Sequence, residues 1–156
     1  MDIDSLYKEN FSKVQFFCQR WTANADDARD IAQEAFIELM HKQNGSDAVK
    51  SPMAWVFRVA YNRCVNRHRF NLRFSGALAK DYDCDPLSEE GQRNRLRLEL
   101  IKKAMRKLTH KERALVTLYK MGFSYAEMAS IVEMNPASVG KTLTRAIDKL
   151  SKWVKQ

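Results

Sequence analysis

The segment from Pro52 to Arg69 contains the side chains best suited to bind unpaired nucleic acid. It has no Asp or Glu, and its aromatic, cationic and amide side chains recur every three or four residues: Trp55, Arg58, Asn62, Asn66 and Arg69. On a helix, this spacing places them on one face. A ring can stack on a base, arginines can follow phosphates, and amides can hydrogen-bond base edges. The alternative is that Trp55 belongs to the core and the arginines are merely solvated.

A second set of polar side chains lies near the C-terminus, on a segment that begins with Asn135 and Pro136. Asparagine as a cap and proline in the first turn favour a helix start. The apolar side of this helix is predicted to comprise Val139, Leu143, Ala146, Ile147 and Leu150. The other side carries Ser138, Lys141, Thr142 and Arg145. Hydroxyls and cations together suit the phosphates and base edges of duplex DNA. The alternative is an ordinary amphipathic helix with a solvated basic face.

Residues 26–38 have the opposite charge. They contain five carboxylates against the single cation of Arg29: Asp26, Asp27, Asp30, Glu34 and Glu38. DNA would repel such a surface, so its predicted partner is a basic protein surface. The alternative is that the acidic residues only complement the positive end of a helix dipole.

Enzymatic and metal chemistry find little support. Asp27, Asp30 and Glu34 could imitate a nuclease carboxylate cluster, but no His or Lys completes it. Cys64 and His68 are four apart, yet no second Cys/His pair stands at ligand spacing. We therefore predict a protein without catalytic residues, metal or cofactor.

The cysteine count and the N-terminus indicate a compartment. Three cysteines cannot all pair internally, and reduced thiols in a cytosol fit better than a disulfide framework. The acidic N-terminus lacks the pattern of a signal peptide, and no run approaches the ~18 apolar residues of a membrane span. A cytoplasmic protein without membrane insertion is expected.

The elements that position these groups are helices. Only 5 Gly and 3 Pro interrupt a chain of 156 residues, which argues against a sandwich or barrel. Apolar periodicity and capping signals predict seven helices, near 3–23, 26–41 (capped by Asp26), 52–69, 93–107, 109–121, 124–132 and 135–153. Capping boxes are predicted at Thr109/Glu112 and Ser124/Glu127, and Gly122 is expected to end the fifth helix. The last two helices form a helix-turn-helix pattern.

The net charge of +8 is unevenly distributed and divides the chain into two domains. Residues 1–69 carry 10 basic and 9 acidic side chains, for a net charge of +1. Residues 93–156 carry 15 and 5, for +10. Between them, residues 70–92 carry 2 and 5, for −3, and contain several helix breakers. We predict an all-α protein with two small helical domains, 1–69 and 93–156, joined by a flexible acidic linker.

Three segments resemble one family, in the same order and over nearly the whole chain outside the linker. Residues 27–36 (DARDIAQEAF) resemble the region-two helix of sigma factors that docks on bacterial RNA polymerase. Residues 52–62 (PMAWVFRVAYN), followed by Asn66 and Arg69, resemble the adjoining segment that melts and reads the minus-ten promoter element. Residues 122–129 (GFSYAEMA) and 139–146 resemble the region-four helix-turn-helix. The chain is thereby identified as a member of the small extracytoplasmic-function group of the sigma-70 family.

This resemblance implies a region-two bundle of three to four helices, a region-four helix-turn-helix domain, and a role for each set of residues. Polymerase docking, on the clamp helices of its largest subunit, falls to Asp30, Gln33, Glu34 and Phe36. Residues 43–51, with Asn62, would hold flipped bases of the minus-ten element, and Arg58, Asn66 and Arg69 would contact the same strand. The minus-thirty-five element would face Lys141, Thr142 and Arg145. The polymerase flap and an anti-sigma factor are further implied partners.

Two departures from the family pattern concern the DNA contacts. The chain has Asn66 where an Asp is common, and Gly140 and Thr142 where basic residues are common. Gly140 either permits a close backbone approach or is evolutionary drift, since glycine within a helix costs about 1 kcal/mol relative to alanine. The rival function is a helix-turn-helix regulator that binds palindromic duplex DNA alone, as a dimer.

Overall fold

The structure, a computed structural model, describes residues 2–22, 24–45, 49–74 and 89–155, and within these ranges it contains helices and turns but no strand. The helices are α1 (Ile3–Cys18), α2 (Ala25–Gln43), α3 (Pro52–Phe74), α4 (Glu89–Lys107), α5 (His110–Lys120), α6 (Tyr125–Val132) and α7 (Pro136–Lys155). They form two compact units: α1–α3 in the first, and α4, α5, α7 and α6 up to Ala129 in the second. The prediction of an all-α fold is confirmed.

Helix α1 ends at Cys18, earlier than the predicted end at Ala23, which lies outside the described residues. The chain tightens here, because the backbone N–H groups of Arg20 and Trp21 bond to carbonyls three residues back. The Thr22 hydroxyl also donates to the Cys18 carbonyl, at 3.2 Å. The apolar periodicity continues into these turns because Trp21 is still buried, at 4% exposure.

The cap of α2 is Asn24 and not Asp26, so that prediction is wrong by two residues. The Asn24 Oδ1 accepts a hydrogen bond from the Asp27 backbone N–H at 2.9 Å. Asp26 and Asp27 instead lie in the first turn, where negative charge complements the helix dipole. Asparagine and aspartate are almost equally good caps, so composition alone does not separate the two positions.

Aromatic rings fill the core of the first unit. The Phe17 ring lies 4.9 Å from that of Trp21 and 5.4 Å, edge-on, from that of Phe57. Trp21 in turn meets the Tyr61 ring edge-on at 5.9 Å. Such edge contacts add about 0.5–1.5 kcal/mol each beyond the area that they bury. They hold α3 against α1 and so fix which face of α3 remains outside.

The segment predicted as a linker is partly helical. Residues 70–74 continue α3, and residues 89–92 begin α4. Residues 75–88 of the predicted linker lie outside the described residues. The net acidity of 70–92 gave no information about these two helical ends, because charge balance does not report backbone conformation.

Both predicted capping boxes of the second unit are confirmed. The Thr109 hydroxyl accepts from the Glu112 N–H at 3.2 Å, and the Glu112 carboxylate accepts from the Thr109 N–H at 3.1 Å. Ser124 and Glu127 exchange the same two bonds at 3.2 and 3.0 Å. Each box satisfies two donors that a helix start leaves without partners.

Helix α5 ends at Lys120, and Gly122 terminates it as predicted, with a φ of +91° in the left-handed region. The N–H of Phe123 bonds to the Leu118 carbonyl at 3.2 Å, and that of Gly122 bonds to the Tyr119 carbonyl at 3.1 Å. This pair of bonds is the Schellman motif, which favours glycine because a Cβ opposes this backbone conformation.

The C-terminal end of α4 is closed by a buried arginine. Arg113, 4% exposed, donates from Nε to the Met105 carbonyl at 3.1 Å and from Nη2 to the Arg106 carbonyl at 3.2 Å. Burial, with a smaller contribution from the charge of Arg106, lowers the pKa of Arg113 to about 10. The guanidinium stays charged at neutral pH and suits the negative end of a helix dipole.

Helix α7 buries most, but not all, of its predicted apolar face. Val139, Leu143 and Ala146 are at most 2% exposed, whereas Ile147 is 42% exposed. The prediction of Ile147 as a core residue is wrong. Its position, eight residues after Val139, lies about 80° around the helix from that residue. Leu150, at the predicted end of the face, is half-buried.

Candidate protein- and nucleic-acid-binding surfaces

Four residues of α2 are predicted to dock on polymerase, and two of them are exposed on the outer face of the helix. Asp30 and Gln33 are exposed, and Glu34 is half-exposed. Phe36 is only 2% exposed. Its ring lies edge-on to that of Tyr7 at 5.1 Å and 6.3 Å from that of Phe11. Phe36 is therefore a core residue that packs α2 on α1, and burial prevents direct contact with a partner in this conformation.

Two apolar residues on the same outer face were missed by the sequence analysis. Ile37 is 50% exposed and Met40 is 46% exposed. They follow Asp30 and Gln33 at helical spacing, so the exposed face continues along α2. The available signal was that both lie off the buried apolar row of Ile31, Ala35 and Leu39.

Three of the five carboxylates of α2 pair with arginines of α3. Arg63 donates from Nη1 to Glu34 Oε2 at 2.8 Å and from Nη2 to Glu38 Oε1. Arg67 Nη1 lies 3.1 Å from Asp27 Oδ1. We call these five residues the α2–α3 ion-pair cluster. The surface is thus less acidic than its sequence suggests. Each half-exposed pair contributes little stability, about 0–1 kcal/mol.

An open cleft of about 460 Å³ lies between α2 and α3. Its lining residues are Ile31, Glu34, Arg63, Asn66, Arg67 and Phe70. It brings one predicted docking residue, Glu34, and one predicted DNA contact, Asn66, to the same depression. The two predicted surfaces are therefore neighbours, with cluster arginines between them.

Helix α3 presents the predicted nucleic-acid face as a graded surface. Trp55 and Arg58 are half-buried, while Asn62, Asn66 and Arg69 are exposed. Trp55 is thus neither fully buried in the core nor fully exposed to solvent. Among the apolar positions of this helix, Val56, Ala60 and Cys64 are completely buried. The opposite side of the helix, carrying the amides and cations, is left accessible.

Tyr61 and the two buried thiols support this face from behind. Burial raises the pKa of Tyr61 above 10.0, and the positive charge of Arg69 opposes that shift. Cys18 and Cys64 are free and buried, and the Cys64 thiol contacts the Cys18 carbonyl oxygen at 4.0 Å. Burial is the largest reason that the pKa of Cys64 lies well above 9.0. Such a thiol is chemically unreactive and acts as a small apolar side chain.

The loop predicted to hold flipped bases is described only in part. Asn44, Gly45 and Lys50 are exposed, and residues 46–48 lie outside the described residues. The joint role of this loop with Asn62 therefore stays a prediction.

The turn between α6 and α7 has a defined backbone. Glu133 has a φ of +55°, and the Met134 N–H bonds to the Ala129 carbonyl at 3.0 Å. Asn135 Oδ1 then accepts from the Ala137 N–H at 3.1 Å, which confirms the predicted cap of α7. This three-residue break matches the predicted helix-turn-helix.

The exposed side of α7 carries the residues predicted to face duplex DNA. Ser138, Lys141 and Arg145 are exposed, and Thr142 is half-buried. A Cβ added to Gly140 would meet only the Tyr125 ring, at an ordinary contact distance of 3.5 Å. The idea that Gly140 permits a close backbone approach is therefore not supported.

An ion pair fixes the second half of α7 on α5. Lys149 Nζ lies 2.9 and 3.1 Å from the two carboxylate oxygens of Glu112, a residue only 6% exposed. Burial raises the pKa of Glu112, but the bonds from Lys149 and Thr109 outweigh it, and the net pKa lies below 4.5. Glu112 thus joins the cap of α5 to the predicted recognition helix.

The described residues form neither a metal-binding group nor a membrane span. Among them, no three His, Cys, Asp or Glu side chains are grouped in a way that would hold a metal ion. None of the helices in the described ranges is long and apolar enough to cross a membrane.

Comparison with known families identifies both units. Residues 6–74 match the family model described as Sigma-70 region 2, and residues 98–150 match that of Sigma-70, region 4. Together these matches span well over half of the chain. The protein belongs to the sigma-70 family of RNA polymerase sigma factors, in its extracytoplasmic-function group.

Individual relatives extend along almost the entire chain. The RNA polymerase sigma factor YlaC of Bacillus subtilis is 22% identical, over 96% of this chain and 90% of its own length. The extracytoplasmic-function sigma factor EcfG of Rhodopseudomonas palustris is 28% identical, over 95% and 84%. The sigma factor SigL of Mycobacterium tuberculosis is 26% identical, over 94% and 85%.

Solved structures share the fold. The sigma factor RpoE of Bartonella quintana, in complex with the anti-sigma factor NepR, superimposes with a TM-score of 0.73 at 21% identity, over 97% of this chain and 96% of that one. CnrH, in complex with the cytosolic domain of CnrY, gives a TM-score of 0.74 at 20% identity, over 98% and 87%.

Proposed function

We propose that this protein joins core RNA polymerase through the outer face of α2 and directs it to promoters that α3 and α7 recognise. The observation that carries the proposal is that the chain carries three surfaces of different chemistry. An acidic and apolar face lies on α2, an acid-free aromatic and cationic face on α3, and a basic face on a helix-turn-helix. A regulator that binds only duplex DNA needs just the last of these.

The α2 face supports polymerase docking. Asp30 and Gln33 offer exposed polar groups, and Ile37 and Met40 offer apolar area that an interface can bury. Aromatic and methionine side chains are enriched at the centres of interfaces, with polar groups around them. The partner surface on the largest subunit would combine apolar area with basic side chains.

The α3 face supports capture of the melted minus-ten element. Flipping a base out of a duplex costs a few kcal/mol. Stacking on Trp55 and contacts from Asn62 and Arg69 can offset that cost. In this role the protein catalyses no reaction; it binds strand-separated DNA more tightly than duplex DNA and so favours melting.

The α7 face supports recognition of the minus-thirty-five element in duplex form. Lys141 and Arg145 are exposed one turn apart, with Ser138 on the turn before them. Region four would also meet the polymerase flap. Since polymerase and its promoters occupy the bacterial cytoplasm, the protein would act there. Both solved structures named above are complexes, one with the anti-sigma factor NepR and one with CnrY. An anti-sigma factor is accordingly a proposed partner, which would release this chain in response to an envelope or environmental signal.

The test of docking is a charge reversal on the exposed part of α2. Asp30→Lys should lower affinity for core polymerase at least tenfold, because it puts a cation against a basic partner. Glu9→Lys, an equal change at an exposed position on α1, serves as the matched control and should bind like wild type. Full retention of binding by Asp30→Lys would refute docking through this face.

The test of promoter selection is run-off transcription with core polymerase and a promoter library. Promoter-specific initiation is expected only when this protein is added. The rival, a dimeric regulator, predicts instead that the isolated protein binds a palindromic duplex tightly and gives polymerase no new start sites.

A further inference from the structure

We propose that Arg63 is a positioning residue for polymerase docking, which holds the Glu34 carboxylate ready for the partner. The inference rests on the proposed docking role of α2. It concerns a residue of α3 that lies outside the predicted docking set and the predicted DNA-contacting sets. Arg63 acts through Glu34, beside which it lines the cleft between α2 and α3.

The geometry is that of one guanidinium shared between two carboxylates. Arg63 donates from Nη1 to Glu34 and from Nη2 to Glu38, which stand one turn apart on α2. A guanidinium is planar and presents its donors in a fixed fork, so two simultaneous bonds define its orientation. With Glu38 as the second support, Arg63 restrains where the Glu34 carboxylate can point.

The Glu34 carboxylate is restrained but still accessible. Its side chain remains 46% exposed, and Arg63 bonds to only one of its two oxygens. A carboxylate has about four acceptor positions, so a donor from a partner can bond while Arg63 stays in place. Holding a long side chain before binding lowers the entropy that docking must otherwise remove.

Arg67 provides a matched comparison within the same ion-pair cluster. It is one turn further along α3, has a side-chain exposure of 36% against 40% for Arg63, and bonds to Asp27 at 3.1 Å. Asp27 is not among the predicted docking residues. Replacing either arginine with methionine keeps most of the side-chain length and removes one positive charge from the same region of the surface.

This comparison separates ordering from charge. Losing a cation makes the α2 surface more negative, which by itself strengthens attraction to a basic partner. The effect is expected to be similar for both arginines, because their backbone positions stand one turn, about 6 Å, apart along α3, which is within the ~8 Å Debye length at physiological salt. Only Arg63→Met also frees the Glu34 side chain.

The experiment measures affinity of the full-length protein for core polymerase in five forms: wild type, Arg63→Met, Arg67→Met, Glu34→Gln and Arg63→Met/Glu34→Gln. Arg63→Met should bind about three- to tenfold more weakly than Arg67→Met. Glu34→Gln should also weaken binding. In the Glu34→Gln background, Arg63→Met should cause no further loss, because its effect passes through that carboxylate.

Two results would overturn the inference while leaving the proposed function intact. The first is that Arg63→Met and Arg67→Met bind core polymerase with equal affinity although Glu34→Gln binds it more weakly than wild type. The second is an Arg63→Met loss that persists unchanged in the Glu34→Gln background, as a purely structural defect would. Failure of wild type to bind core polymerase would instead remove the proposed function, and normal binding by Glu34→Gln would remove the docking role of that residue. Either of these outcomes would also remove the inference.

Discussion

At the scale of single residues, two glycines of the second unit have opposite requirements. Gly122 has a φ of +91°, and nothing lies within 4 Å of where its Cβ would be, so only backbone strain opposes a side chain. Gly140 lies inside α7, where a Cβ would make an ordinary contact with Tyr125. We expect Gly122→Ala to destabilise the protein by about 1–2 kcal/mol. Gly140→Ala should stabilise it by about 0.5–1 kcal/mol.

Thermal and urea unfolding followed by circular dichroism measures both changes. The pair is internally controlled, because each variant adds one methyl group to the same unit. A loss of stability in Gly140→Ala would mean that the Tyr125 ring cannot accept the added methyl. An unchanged stability in Gly122→Ala would mean that the turn after α5 relaxes away from the left-handed conformation.

Residue spacing predicted which polar side chains of α3 are exposed better than residue identity predicted their local partners. The exposed positions of Asn62, Asn66 and Arg69 follow from helical spacing alone, because spacing fixes the face. The pairing of Glu34 with Arg63 did not, since 29 residues separate them and only the packing of α2 on α3 brings them together. Phe36 was predicted to contact polymerase because a match to a family motif does not indicate whether a side chain is buried.

At the scale of elements, helix starts were predicted more reliably than helix lengths. The boxes at Thr109 and Ser124 and the cap at Asn135 each depend on a side chain within three residues of the bonded N–H. Such local chemistry is readable from sequence. The true ends of α1 and α3 depend on non-local packing and on turns such as that around Thr22, which no short motif specifies.

The ion pair of Glu112 with Lys149 makes the packing of α7 on α5 depend on pH. The pKa of Glu112 is lower in the folded protein than its ordinary 4.5. Its stabilising contribution is therefore complete above pH 4.5 and disappears as the pH falls through the lower, folded value. We expect Lys149→Met to lose about 1 kcal/mol of stability at pH 7 and less below the folded pKa, where Glu112 is protonated in both proteins.

Thermal unfolding of wild type and Lys149→Met at pH 7 and at pH 3 tests this expectation. Lys152→Met, which also removes an exposed cation from α7, is the control and should differ little from wild type at either pH. If the stability difference between wild type and Lys149→Met were the same at both pH values, the pair would contribute through packing of the lysine stem and not through charge.

At the scale of the whole molecule, the charge distribution is consistent with the proposed assignment of polymerase and DNA to different surfaces. The second domain as predicted has a net charge of +10, and the first has a net charge of only +1 because acidic α2 offsets basic α3. Duplex DNA attracts the second domain as a whole, whereas the first can present one face to a protein and another to DNA. Charge therefore predicts which kind of partner each domain binds. It does not predict that the two faces of the first unit are neighbours, because that follows from the packing of α2 on α3.

The proposed assignment of α2 to polymerase and α3 to DNA predicts that DNA capture and polymerase assembly can be separated by substitution. Asn62→Ala/Arg69→Ala removes an amide and a cation from exposed positions of α3, so the fold should lose less than about 0.5 kcal/mol per site. Holoenzyme assembly, measured by co-elution, should be retained because neither residue lies on α2. Open-complex formation, measured by permanganate footprinting, should lose about 1–3 kcal/mol, since bases in the melted strand lose hydrogen bonds and phosphate contacts.

Lys13→Ala, which removes an exposed cation from α1, should leave both measurements unchanged. Equal losses of assembly and melting in the double variant would show that α3 supports polymerase binding as much as DNA capture, and the assignment of separate surfaces to separate partners would have to be abandoned.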